Sequence, residues 1–220
     1  MQLLNAKRGE ITIETIMSVL RDHGQADGSQ RSADEGLAGA DVCMHASFGP
    51  IRISQTTGSM VSFLDQKSPL HFVTGTAAPC TSIFKPVWID AFSPDNFPPP
   101  ITSIGPNPNE IYNPETLFWR HEVLHRTTLR DHTNCIQTFA FNRDALEREF
   151  VSDAFGAQIK NAKSRADVTA KCFSRASAAE KDWLGRIQEE PSRENWLYAS
   201  AWGEFNREAG LSVEMKNKLG

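Results

Sequence analysis

His121-Glu122-Val123-Leu124-His125 is the segment with the most recognisable chemistry in this 220-residue chain. Two histidines four residues apart share one helix face and can hold one zinc ion, with the intervening glutamate as general base of a peptidase. Such a site needs a third protein ligand. His132 stands about 10 Å along a continuous helix from His125, too far for zinc–nitrogen bonds of about 2 Å. Thr127-Thr128-Leu129 offers no glycine at which the chain could turn back. Glu149, with Asp153 one turn further on, is the better third ligand, from the following helix. The competing reading is structural. Leu117, Phe118, Leu124 and Leu129 span one arc of the helix that includes both histidines. Histidines on such a buried stripe serve in hydrogen-bonded networks, because burial without partners is costly.

The four cysteines, Cys43, Cys80, Cys135 and Cys172, are scattered, with no CxxC pair among them. That spacing reads as reduced thiols, with Cys43 and Cys80 as small core residues, and not as a disulfide framework. The formal charge of −4 gives no electrostatic footprint for nucleic acid. No run approaches the roughly 18 apolar residues of a membrane helix, and the N-terminus lacks the basic-then-apolar pattern of a secretory signal. The expected location is cytoplasmic, with self-association left open.

The elements that must position these residues change character along the chain. Gly9 to Asp22 predicts a helix with Ile11, Ile13, Ile16, Met17 and Leu20 at its apolar positions, and residues 24 to 40 read as a loop. The period then becomes two. Val42–Phe48, Ile51–Thr57, Met60–Leu64, Leu70–Thr74 and Ser82–Ile89 predict an antiparallel meander with glycine-rich turns. Seven of the twelve prolines fall between residues 93 and 114, which excludes helix or central strand there. Helical periodicity follows at 115–130, 143–162, 165–190 and 193–209. Strands followed by helices predict an α+β architecture, divided into a helix-plus-strand part (1–92), a proline-rich crossing (93–114) and a helical region packed on the same domain (115–220). Trp183, Trp196 and Trp202 read as packing anchors.

Several blocks resemble one family in the same order: Val19-Leu20-Arg21-Asp22-His23, DVCMHAS from Asp41, SQTTGSM from Ser54, HFVTGTAAPCTSIFKPVW from His71, Trp119-Arg120-His121-Glu122 and Asn142 to Glu147. Together they resemble the C-terminal half of the secernin and dipeptidase A proteins, a branch of the N-terminal-nucleophile hydrolases. The resemblance implies an αββα sandwich of two antiparallel sheets, to which the meander would contribute strands. It implies cysteine chemistry: the thiol of an N-terminal cysteine attacks an amide, its own α-amine acts as base, and the oxyanion is held by nearby donors. This sequence begins Met1-Gln2-Leu3, so the expectation is a half without its nucleophile, inactive alone and completed by a missing N-terminal half. No catalytic residue, metal or other cofactor is expected within it. Thr74 and Thr76, in the strand-end segment, and Arg120 would contact a small peptide substrate near the oxyanion, although Gly75-Thr76-Ala77 stands where some relatives carry asparagine. The alternative for Arg120 is an ion pair with Glu115 or Glu122 on its own helix.

The leading expectation is therefore a cysteine-type amidohydrolase of dipeptides or short linear amides. Against it stand a non-enzymatic secernin-like interaction protein linked to secretion, and the zinc peptidase of His121, His125 and Glu149 with Glu122 as base.

Overall fold

A computed structural model describes residues 2–26, 29–33, 41–46, 52, 54–92, 103–189 and 196–211. After a single turn, α1 (Gln2–Asn5), the first substantial helix is α2 (Ile13–Leu20), shorter at both ends than the predicted Gly9–Asp22. Thr12 sets its start: the Thr12 hydroxyl accepts from Thr15 N at 3.2 Å while the Thr15 hydroxyl accepts from Thr12 N at 3.3 Å, a reciprocal cap. Met17 is the fully buried residue of its apolar face, with Ile13, Ile16 and Leu20 beside it. A two-rung antiparallel pair, β1 (Gln25–Ala26) and β2 (Ser29–Gln30), interrupts the predicted loop.

The main sheet has three antiparallel strands, β3 (Met60–Phe63), β4 (Leu70–Val73) and β5 (Lys85–Val87), in the order β3-β4-β5. Phe63 pairs with Leu70 and Val73 with Lys85. Alternation along β4 buries Leu70 and Phe72 while leaving His71 and Val73 half-buried, the period-two signature of a one-faced sheet. The expected strands at 42–48 and 51–57 do not form in their described parts, residues 42–46, 52 and 54–57; residues 47–51 and 53 lie outside the described residues. Isolated bonds replace a ladder there: Thr56 N donates to the Met44 carbonyl at 3.0 Å and Met44 N to the Thr56 hydroxyl at 3.0 Å.

After a 3₁₀ turn at Ile89–Ala91 the chain is helical: α3 (Leu117–Leu129), α4 (His132–Gln137), α5 (Ala140–Gln158), α6 (Ala162–Glu189) and α7 (Trp196–Glu208). Residues 93–102, most of the proline-rich crossing, lie outside the described residues. The short α4 is an addition to the predicted set, and it moves the start of α5 forward to Ala140. The fold is α+β. One core joins Met17, Phe72 and Trp88 to Val151, Ala154 and Ala166, so the sheet and the later helices share an interior. A second, with Ile83, Leu124, Phe139, Phe150 and Trp183, lies between the turn before β5 and α3, α5 and α6. Among the described residues no helix is long and apolar enough to cross a membrane.

Candidate functional site

Loop hydrogen bonds carry three separate segments to one place. The Cys43 N–H donates to the Asp22 carbonyl at 3.0 Å, Met44 and Thr56 are joined as above, and Ala78 N donates to the Thr56 carbonyl at 2.7 Å. This relay sets the loop after α2, the 41–46 segment and the turn before β5 side by side. At Gly24, φ is +78°, and a Cβ would lie 2.8 Å from an Arg31 guanidinium nitrogen. Glycine therefore permits the Arg31–Asp41 pair, at 2.6 Å, to close over the loop, while Arg31 also donates to the His23 carbonyl at 3.1 Å. Ala78 has φ of +50°, an uncommon conformation for a residue with a side chain, and the turn it makes aims Cys80 inward. Thr81 and Ser82 N–H groups close that turn on the Ala78 carbonyl at 3.1 and 3.2 Å.

The result is a buried group of four donors, His23, Cys43, His45 and Cys80, whose nitrogen and sulfur atoms all lie within 4.8 Å of one another. His45 Nε2 is the hub: His23 Nε2 is 3.1 Å away, Cys80 Sγ 3.3 Å and Cys43 Sγ 3.4 Å. His132 approaches from the start of α4, with its Nε2 3.9 Å from Cys80 Sγ. The His125 ring stacks on His45 with centroids 5.2 Å apart.

The electrostatics separate the two thiols. Burial works to raise the Cys80 thiol, but the hydrogen bond with Cys43 and the neighbouring His45, His132 and His23 pull it well below its ordinary value. Burial, reinforced by Cys80, pushes Cys43 well up. Burial lowers His45 and strongly lowers His125, so both rings are held neutral. In His23 the Cys80 sulfur outweighs burial, and the ring is shifted up. A thiolate among imidazoles suits nucleophilic attack or ligation of a borderline-soft metal.

Cys80, His23 and His132 also face a cleft of about 660 Å3 whose walls are α2, α4 and α5. Arg21 crosses it, donating to the carbonyls of Pro79 at 2.7 Å and Ser82 at 3.2 Å and to Glu147 at 2.5 Å. Glu147 in turn accepts from Phe84 N at 2.8 Å. Arg143 donates to the Cys80 carbonyl and to Asp144 at 2.7 Å, and Arg148 stands exposed at the rim.

The residues singled out by sequence fall elsewhere. Thr74 and Thr76 are fully buried and satisfied internally: the Thr74 hydroxyl accepts from Ser59 N at 2.9 Å, and that of Thr76 meets Ser82 Oγ at 2.8 Å. Arg120 pairs with neither Glu115 nor Glu122 carboxylate; it donates to the backbone carbonyls of Pro114, Glu115 and Ser103. None of the three lines the cleft.

Nor do the zinc-peptidase residues assemble. His121 Nε2 lies 2.9 Å from the Ala77 carbonyl and its Nδ1 3.1 Å from Glu180. His125 Nδ1 meets the Thr81 hydroxyl at 3.1 Å. Glu122 is bound to Arg126 at 2.7 Å, and Glu149 sits on the exposed side of α5, 2.5 Å from Arg175. The sequence reading expects no metal and does not single out the His23, Cys43, His45 and Cys80 group, whose donor types could hold one. Cys43 and Cys80 are buried as expected, yet their neighbours are histidines. The one sequence hint was that all four residues fall inside the blocks quoted above. The chain matches no protein-family model and no solved structure.

Proposed function

We propose that this chain is the substrate-holding part of a cysteine-type amidohydrolase acting on dipeptides or short linear amides, its four buried cysteines not serving as the nucleophile. The observation that carries the reading is the cleft. Blocks far apart in the sequence, at 19–23, 74–86 and 142–147, are tied together around it by Arg21, Glu147 and Arg143. A cleft of this size with arginines at its wall and rim suits a small anionic or zwitterionic ligand such as a peptide with a free carboxylate. The sheet is compatible with the sandwich this chemistry uses, since β3 is an edge strand with Met60 and Phe63 exposed, a form suited to further strand pairing.

A dipeptide panel tests the reading by thermal shift and by product release. Dipeptides with a free C-terminal carboxylate should raise the melting temperature, their amides should not, and Arg148→Glu should abolish the shift. The chain alone should release no product. Absence of any dipeptide binding, or hydrolysis by the chain alone that survives chelator, rejects the proposal.

A further inference from the structure

The Nε2 atom of His45 has more neighbours than hydrogen bonding can serve. An imidazole nitrogen offers one in-plane lone pair or one N–H, and so one strong hydrogen bond. Three heavy atoms, His23 Nε2, Cys80 Sγ and Cys43 Sγ, nevertheless converge on it at 3.1, 3.3 and 3.4 Å in a fully buried place. No protonation state of the four side chains answers all three approaches. A cation at the centre of the group does, because every lone pair then points at the ion.

The three spacings at His45 can be set against a tetrahedral zinc site, and all six ligand separations are within 4.8 Å. Bonds of about 2.3 Å to sulfur and about 2.0–2.1 Å to nitrogen place tetrahedral zinc ligands about 3.3 Å apart for two nitrogens and about 3.5 Å apart for nitrogen and sulfur. The His23–His45 and Cys–His45 separations fall close to those edges. We propose that His23, Cys43, His45 and Cys80 bind one zinc ion as a closed Cys2His2 site that pins three loops beneath the cleft. Two thiolates balance the charge of the ion, so the buried centre is neutral overall. Four protein ligands leave no open position, which makes the site structural.

His132 is its positioning residue. The Ala33 backbone N–H, which can only donate, meets His132 Nδ1 at 3.3 Å, so the ring hydrogen resides on Nε2, directed at Cys80 Sγ. A donor to a ligating thiolate orients it and tempers its charge.

The test is metal binding by the whole chain, independent of hydrolysis. The chain is dialysed with Zn(II), and bound metal is measured; Co(II) is then exchanged in and its absorption recorded. Stoichiometric zinc, and a cobalt spectrum with intense thiolate-to-metal bands and the strong visible bands of tetrahedral geometry, are expected from the unaltered protein. Cys43→Ser and Cys80→Ser should each remove most of the thiolate band. His132→Leu should weaken zinc binding about 10- to 100-fold, with partial recovery in His132→Gln, which keeps an N–H donor. His121→Gln should leave the spectrum unchanged. Cobalt bound without thiolate bands, or metal lost in His121→Gln, overturns the proposal. So does a metal-free chain whose Cys80 is alkylated by iodoacetamide equally fast with and without zinc, or one holding a Cys43–Cys80 disulfide under reducing conditions.

Discussion

Two histidine clusters lie back to back in this interior, joined by the stack of His125 on His45. On α3, His121 and His125 have the spacing of a zinc-binding helix, yet His121 Nε2 and His125 Nδ1 meet Ala77, Thr81 and Ser82, and His121 Nδ1 faces Glu180 at 3.1 Å. Across the stack, His23 and His45 belong to no regular motif, and their Nε2 atoms meet each other, that of His45 also meeting two sulfurs. Spacing along a helix tells which side chains share a face. It does not tell what the fold places opposite that face. Where Thr81 and Ser82 meet α3, histidines become structural; where two thiols meet two imidazoles, ligation is the chemistry available.

The sharpest way to break this contrast is to remove the metal proposed at the second cluster. If free zinc stands at about a thousand times its dissociation constant, stripping it lowers stability by about 4 kcal/mol. Urea unfolding with and without chelator measures this directly. Cys43→Ser and Cys80→Ser should show no chelator response, whereas His121→Gln should respond as the unaltered chain does. Unchanged midpoints in chelator would erase the distinction between the clusters.

Glu180 tests the other side. It lies within 3.1 Å of His121 Nδ1 in the interior between α3 and α6. Burial works to raise its carboxyl, but His121, Lys85 and Arg120 together hold it below the ordinary 4.5. A depressed carboxyl stabilises the fold at pH above its unfolded value and loses that contribution as pH falls through its folded value. Glu180→Gln should therefore cost about 1–3 kcal/mol near neutrality, with the gap from the unaltered chain closing as the solution is acidified below pH 4.5. A gap that persists in acid would assign the loss to packing and not to charge. Metal content should not change.

How much of this could be read beforehand follows from the same physics. The helices at 115–130, 143–162, 165–190 and 193–209 were visible because amphipathic periodicity is local, and α3, α5, α6 and α7 follow it within a few residues. Leu70–Thr74 is visible because the alternation on β4 matches a one-faced sheet, and Met60–Leu64 because its β-branched and aromatic run is bounded by turn residues. The four-donor group was not visible as a group. Its members lie 20, 2 and 35 residues apart in sequence, and their meeting depends on the Asp22–Cys43 and Thr56–Ala78 backbone bonds, which no side-chain pattern encodes. Arg120 is a related case: the carbonyls at Ser103, Pro114 and Glu115 that accept from its guanidinium leave no mark on composition.

A smaller effect tests whether α3 holds its histidines through its own cap. Thr116 begins the helix, its hydroxyl accepting from Trp119 N at 3.2 Å while donating to the Asn113 carbonyl at 3.0 Å. Thr116→Ala should cost about 1 kcal/mol, read from the urea midpoint, with zinc binding unaltered. A loss of zinc in this variant would couple the two clusters more tightly than their stack suggests.

The smallest expected effect bears on the residue offered as third ligand to the helical zinc motif. Glu149 was the candidate third ligand, but its side chain is 59% exposed and pairs with Arg175, itself 37% exposed, at 2.5 Å across α5 and α6. A solvent-facing pair of this kind contributes about 0–1 kcal/mol, because water screens the attraction and ordering two long side chains opposes it. Glu149→Ala should therefore shift the urea midpoint barely beyond error, retain bound zinc, and leave the cobalt spectrum of the Cys2His2 group intact. Loss of zinc from Glu149→Ala would move the metal to α3 and reverse the roles of the two clusters.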